Sequence, residues 1–205
     1  SEPDQANGAV EPANVAANFA PIPLENKVTT PHSLAPLSSE GTPDIERIRD
    51  LFPELEIERK LGQGGMGIVF LAHQKHLNRP VALKIIAPEI AGDPTFSERF
   101  SREARTTQGL THGNVAMVFD FGEVAGLYFM IMEFAEGRSL RELISDGGMS
   151  TFTAVNMVLQ VCDALDYAHH AGVVHRDIKP ENIIVGPSRH VKVVDFGLAK
   201  LMDPA

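Results

Sequence analysis

The sequence predicts an α+β chain, with a small strand-rich unit leading into a helical unit that carries polar loops. Three observations carry that prediction. From Leu55 to Ile86, short β-branched runs alternate with Gly and Asn-Arg-Pro turn signals. Between Phe152 and Ala171, apolar residues recur at three- and four-residue spacing, the period of a helix. Two polar clusters, His175-Arg-Asp-Ile-Lys-Pro-Glu-Asn182 and Asp195-Phe-Gly197, adjoin the apolar runs Ile183 to Val185 and Val191 to Val194. That order reads as loop, short strand, turn and short strand, with the polar groups gathered at the strand ends.

In chain order, residues 1–43 are rich in Ala, Pro, Asn and Ser and have no helical or strand period. Such a stretch buries too little apolar surface to offset its ordering entropy and reads as a disordered leader. Residues 44–54 read as a short amphipathic lead-in, with Asp44 as N-cap and Ile45, Ile48 and Leu51 on one side. Strands follow at Ile57 to Leu61, Ile68 to Ala72 and Val81 to Ile86. Asp93-Pro94 opens a helix, with the proline inside its first turn. Two further strands, Ala116 to Phe121 and Leu127 to Met132, meet at a turn near Gly126. The long helix over Phe152 to Ala171 presents Val155, Val158, Leu159, Cys162, Leu165 and Ala168 as its stripe, with Gly172 at its C-cap. There is no internal repeat.

Composition narrows the function. The chain has 205 residues, 43% hydrophobic and 22% charged, which suits a soluble protein of one domain or two small lobes. A net charge of -9 argues against a nucleic-acid partner, because phosphate backbones are bound by clustered Lys and Arg. Cys162 is the only cysteine, so neither an intrachain disulfide nor a Cys-rich metal site can form, and a reducing, cytoplasmic setting is expected. No run approaches the roughly 18 apolar residues of a membrane span. The first residues lack the layout of a signal peptide, and the initial Ser reads as a fragment or a processed chain.

The chemistry-bearing residues fall in four groups. Leu61-Gly-Gln-Gly-Gly-Met-Gly-Ile-Val69 spaces Gly62, Gly64 and Gly67 as G-x-G-x-x-G, with Gly65 between them. Glycine lets the backbone approach an anion closely. A dinucleotide-binding turn shares this spacing but needs a helix next, and a strand-like run follows here. Lys84 sits inside the apolar run Val81 to Ile86. It either lies on an edge strand facing water or is buried and needs an anionic partner. Phe96, Phe100, Glu103, Thr107 and Leu110 share a helix face. Glu103 is therefore on the inward seam and is expected to pair with Lys84, the alternative being a wet pair with Arg99. Asp177 could accept the proton of an attacking hydroxyl, while Asn182 and Asp195 offer hard oxygen ligands for magnesium. Lys179 could neutralise charge on a transferred phosphoryl group. Adjacent His169 and His170 do not share a helix face, which argues against a metal pair there.

His-Arg-Asp…Asn and Asp-Phe-Gly, together with the glycine-rich run and Val81-Ala-Leu-Lys84, resemble the eukaryotic-type serine/threonine protein kinase family from about Leu55 to Met202. The resemblance implies a small antiparallel β-sheet lobe with one helix over residues 55–134, and an incomplete helical large lobe over residues 135–205. It also implies ATP and Mg2+ as cofactors, a protein Ser/Thr substrate, and a Lys84–Glu103 pair. By resemblance Val69 and Ala82 form the roof of the adenine site, Ile184 forms its floor, Met132 stands at the back, and Leu61 is among the nucleotide-binding residues. Glu133 to Ala135 offer backbone hydrogen bonds. Lys after Asp-Ile matches the Ser/Thr-directed members, and His175 is expected to pack on Phe196. Arg176 would pair with a phosphate on an activation loop, which does not follow within this chain. A nucleotide-binding pseudokinase and a small-molecule phosphotransferase are the competing readings. The departures are Gly113, where Pro is usual, Thr107, where a larger apolar residue is usual, and the missing activation segment and remaining helices. Those departures imply a loosened Glu103 helix and a long helix without neighbours for its apolar face.

Overall fold

The structure, a computed structural model, describes residues 44–91 and 95–196. The expected leader, the Asp93-Pro94 helix start and Gly197 lie outside the described residues.

Five antiparallel strands form the first sheet in the order β1-β2-β3-β5-β4. They are β1 (Leu55–Gly64), β2 (Gly67–Gln74), β3 (Arg79–Ile86), β4 (Val118–Val124) and β5 (Leu127–Glu133). Turn chemistry fixes the hairpins. Asn78 takes a left-handed φ of 48° between β2 and β3, and Ala125 and Gly126 take 49° and 80° between the paired residues Val124 and Leu127. Two successive positive φ values give a two-residue turn whose twist matches the flanking strands.

Both faces of this sheet are covered. Helix α1 (Ile45–Leu51) lays Ile48 against Phe52, Leu55, Ile57, Phe70, Leu83 and Ile131. On the opposite face α3 (Phe96–Gln108), preceded by the short α2 (Pro88–Ala91), packs Phe96, Phe100 and Ala104 on Ala82, Ile86, Val118, Met130 and Met132. Strand β3 is central and dry on both sides, so Val81, Leu83 and Ile85 serve one core while Ala82, Lys84 and Ile86 turn toward the α3 side. A lysine on an edge strand is thereby excluded. The sheet and α3 make this the small lobe of an α+β fold.

The second assembly contains a three-stranded sheet, ordered β6-β7-β8. Its strands are β6 (Arg138–Ser139), β7 (Ile183–Val185) and β8 (Val191–Val193), backed by α4 (Leu140–Ser145) and α5 (Thr151–His170). Ser139 and Glu142 form a reciprocal capping box at the start of α4. Gly172, at φ 77°, closes α5: its N–H donates to His169 O and Val173 N–H donates to Ala168 O.

Helix α5 corrects one sequence expectation. Its buried residues are Thr153, Met157, Val161, Ala164 and Ala168, which pack on Ile183, Val185, Val191 and Val193. Of the expected stripe, Val155, Val158, Leu159 and Cys162 are exposed, and only Leu165 and Ala168 turn inward. The period was legible, but the helix carries two apolar stripes. The short strands settle which of them is covered.

Candidate active site

Lys84 is 3% exposed, and its ammonium lies 2.8 Å from Asp195 Oδ2. Asp195 follows β8 with a left-handed φ of 63°, a conformation that costs a non-glycine residue about 1–3 kcal/mol and needs external support. The support is visible. His175 Nε2 bonds Val194 O at 2.8 Å, Val194 N–H donates to Asn182 O, and the His175 ring packs edge-on against Phe196 with centroids 4.6 Å apart.

This pairing replaces the expected Lys84–Glu103 ion pair. Glu103 does lie in the α3 seam, its side chain 13% exposed, but its Oε1 meets Arg102 Nε at 3.2 Å. Asp195, turned inward by its backbone, is the carboxylate that reaches the buried ammonium, while solvated Arg102 meets Glu103 at the margin of the seam. Thr107 is fully inside. Its hydroxyl donates to Glu103 O at 2.9 Å, with Phe196 O 3.5 Å away, so the polar side chain ties α3 to the Asp195 segment. Gly113 contributes its carbonyl to His190 Nε2 at 3.0 Å.

The loop before β7 gathers three more groups. Asp177 Oδ2 accepts from Lys179 Nζ at 2.6 Å and from Asn182 Nδ2 at 3.1 Å, and Asn182 Nδ2 also reaches Asp177 O at 2.9 Å. A 3₁₀ turn, Pro180–Asn182, presents Asn182 to both Asp177 and the end of β8. The Lys179 hydrogen bond, aided by its charge, holds the Asp177 carboxyl below the usual carboxylate range, and the same contact raises Lys179. With Asn182 Nδ2 committed to Asp177, its amide oxygen is the atom that could ligate a cation.

Burial holds the His175 pKa below its ordinary 6.5. Val194 O can only accept, so Nε2 carries the proton, and Nδ1 accepts from Asp177 N–H at 3.3 Å. The fold therefore requires the neutral ring. Above pH 6.5 both folded and unfolded states are neutral at this site. Below it the unfolded chain takes up a proton that the folded chain resists, and stability falls by up to about 1.4 kcal/mol per pH unit. Urea melts between roughly pH 7.5 and 5.5 should show this decline, flattened in His175→Gln; an unchanged slope in the variant contradicts the assignment.

The glycine-rich run forms the β1–β2 hairpin, with Gly64 paired to Gly67. Among its glycines only Gly67 has a left-handed φ, 131°, and a Cβ there would strike the Ile85 carbonyl oxygen. Gly62, Gly64 and Gly65 have open space where a side chain would begin. Gly67→Ala is therefore expected to lower stability by roughly 2–4 kcal/mol through backbone strain. Gly64→Ala should leave the melting midpoint nearly unchanged and act on ligand approach instead. Equal melting midpoints for the two variants would rule out this division of roles.

Around this cluster Ala82 and Met132 are buried, Val69 packs half-buried on them, and Ile184 is half-buried on β7. Leu61, Glu133 and Ala135 are exposed or half-buried at the rim. Glu133 N–H already donates to Met117 O at 2.8 Å, so that N–H is committed within the protein. Sequence reasoning missed the Glu133 side chain, which pairs with Lys192; a lone acid and a lone base far apart in sequence carry no periodic signal. No group of three or more His, Cys, Asp or Glu side chains able to hold a metal occurs among the described residues. Two protein oxygens, from Asp195 and Asn182, still fit Mg2+, which keeps several waters and binds through one or two carboxylates plus substrate phosphates.

Comparison with known proteins gives a consistent result. The protein kinase domain family matches residues 55–205. Over 153 residues the chain is 40% identical to the probable serine/threonine-protein kinase PknB of Corynebacterium glutamicum, covering 72% of this chain and 24% of that protein. Over 145 residues it is 41% identical to the serine/threonine-protein kinase PrkC of Bacillus subtilis, covering 70% of this chain and 22% of that protein. The crystal structure of the Mycobacterium tuberculosis PknI kinase domain, C20A mutant, superposes with a TM-score of 0.65 at 31% identity, covering 71% of this chain and 60% of that one. The chain thus spans about a quarter of the length of these two curated relatives. No helix among the described residues is long and apolar enough to cross a membrane.

Proposed function

This chain belongs to the protein kinase family, and on that premise we propose that the protein it comes from transfers the γ-phosphoryl group of ATP to serine or threonine hydroxyls of a protein substrate. The observation that carries the proposal is the buried Lys84–Asp195 pair at 2.8 Å, which joins the small-lobe sheet to the end of β8. An ammonium and a carboxylate withdrawn from water are costly to keep. A triphosphate with its divalent ion is a ligand that would use both.

The geometry supports the following roles. Lys84 binds phosphate oxygens when it exchanges Asp195 for the nucleotide. Asp195, through the carboxylate Lys84 releases, and Asn182, through its amide oxygen, would hold Mg2+, whose charge offsets that of the phosphates. Asp177 is ionised at neutral pH, being held below the usual carboxylate range by Lys179, and accepts the proton of the incoming hydroxyl. Lys179, already beside Asp177, screens charge on the group in transfer. Gly62, Gly64 and Gly65 leave room for phosphates to approach the backbone. Leu61, Val69, Ala82, Met132 and Ile184 enclose the adenine, and the Glu133 carbonyl and Ala135 N–H bond its edge. A cytoplasmic setting supplies ATP and suits the exposed thiol of Cys162.

The test is transfer of labelled γ-phosphate by the whole protein to Ser/Thr peptides, with Tyr peptides as the control. Transfer to Ser/Thr alone supports the reading. Mg2+-dependent nucleotide binding with no transfer supports a pseudokinase, and absence of both overturns the reading.

A further inference from the structure

Glu133 and Lys192 meet where the two sheets join. Lys192, in the middle of β8, places its ammonium 2.8 Å from the Glu133 carboxylate and 3.3 Å from Val115 O. The two side chains are 17% (Lys192) and 25% (Glu133) exposed. Between the sheets runs the segment from Asn114 to Met117. On one side Val193 N–H donates to Asn114 O at 2.8 Å and Ala116 N–H donates to Val193 O at 2.9 Å. On the other, Glu133 N–H donates to Met117 O at 2.8 Å and Met117 N–H donates to Glu133 Oε2 at 3.2 Å. One strip of backbone is thus bonded to both sheets, and the Glu133 carboxylate is shared between that strip and Lys192.

The strand pattern shows which way Lys192 points. Val191 and Val193 are fully buried toward α5, so Lys192 is on the other face of β8, directly across from Ile184. Its stem therefore lies beside the residue assigned to the adenine floor. Its head holds the residue that begins the adenine-facing backbone, and Asp195 follows on the same strand end.

We propose that Glu133 and Lys192 are positioning residues: their ion pair fixes the adenine-facing backbone of residues 133–135 relative to Asp195. The proposal rests on the kinase reading and deepens it. Neither side chain touches the nucleotide. Removing the pair leaves the nucleotide's two anchor points free to shift against each other, which weakens binding without removing a contact.

The test is titration of the 205-residue chain with a fluorescent ATP analogue and Mg2+. Lys192→Met is expected to weaken binding about tenfold, as contacting pairs commonly couple by that order. Lys192→Arg should bind nearly as the native chain does, and the reversed pair Glu133→Lys with Lys192→Glu should bind better than either single reversal. If Lys192→Met unfolds the chain, Glu133→Gln, nearly the same in shape, carries the same expectation. Native binding unchanged by Lys192→Met or Glu133→Gln overturns the positioning role and leaves the kinase reading intact. So does a Lys192→Arg variant as weak as Lys192→Met. A native chain that binds no nucleotide overturns both.

Discussion

Asp195→Ala should abolish Mg2+-dependent nucleotide binding and destabilise the fold in the same step. The second effect comes from Lys84. Its side chain is 4% exposed and its ammonium pairs with Asp195. Removing one partner of a buried pair leaves an uncompensated charge and costs about 3–5 kcal/mol, a large part of a domain's usual stability. Replacing both partners removes that penalty, so the double variant Lys84→Met with Asp195→Ala should regain most of the lost stability while remaining unable to bind nucleotide. Chemical denaturation of the single and double variants, combined with calorimetric titration of nucleotide with and without Mg2+, separates the two effects. A single variant as stable as the native chain would show that the ammonium finds another anion. Retained Mg2+-dependent binding would remove Asp195 from the metal site.

The fate of Lys84 shows how far the sequence could be read. A lysine in the apolar run Val81 to Ile86 would need an anion if it faced inward, and the helix period put Glu103 on the inward seam. Both inferences depend only on local repeat, and both hold: Lys84 is buried and Glu103 lies in the seam. Which carboxylate reaches the ammonium depends instead on the left-handed backbone at Asp195, which no hydrophobic pattern encodes, since short polar residues take that conformation under tertiary support. Helix α5 repeats the lesson. Its length and period were legible, but two apolar stripes compete on it, and the covered one is set by β7 and β8, far along the chain. Motif-borne residues fared differently. Asp177, Lys179 and Asn182 lie within one short loop, so their mutual contacts follow from local chain geometry. Glu133 and Lys192 have neither period nor proximity, and only the packed structure brings them together.

Asp177→Asn should produce the opposite signature to Asp195→Ala, with catalysis lost and the fold kept. Asp177 sits in a half-exposed loop, and its ionic partner Lys179 is itself largely solvated, so the ammonium can return to water when the charge is removed. An ion pair this open contributes only about 0–1 kcal/mol. Asn182 keeps its hydrogen bond to the Asp177 backbone oxygen at 2.9 Å, so the loop retains its 3₁₀ turn and the link to β8. What disappears is the carboxylate that accepts the hydroxyl's proton, a contribution of about 10²–10⁴ in rate for a positioned general base. In the whole protein, transfer to a Ser/Thr peptide should fall by that order while nucleotide affinity and the unfolding midpoint stay near native. Transfer at close to the native rate would show that the proton leaves by another route. The catalytic role would then pass from Asp177 to the electrostatic groups around it, with Lys179 the nearest.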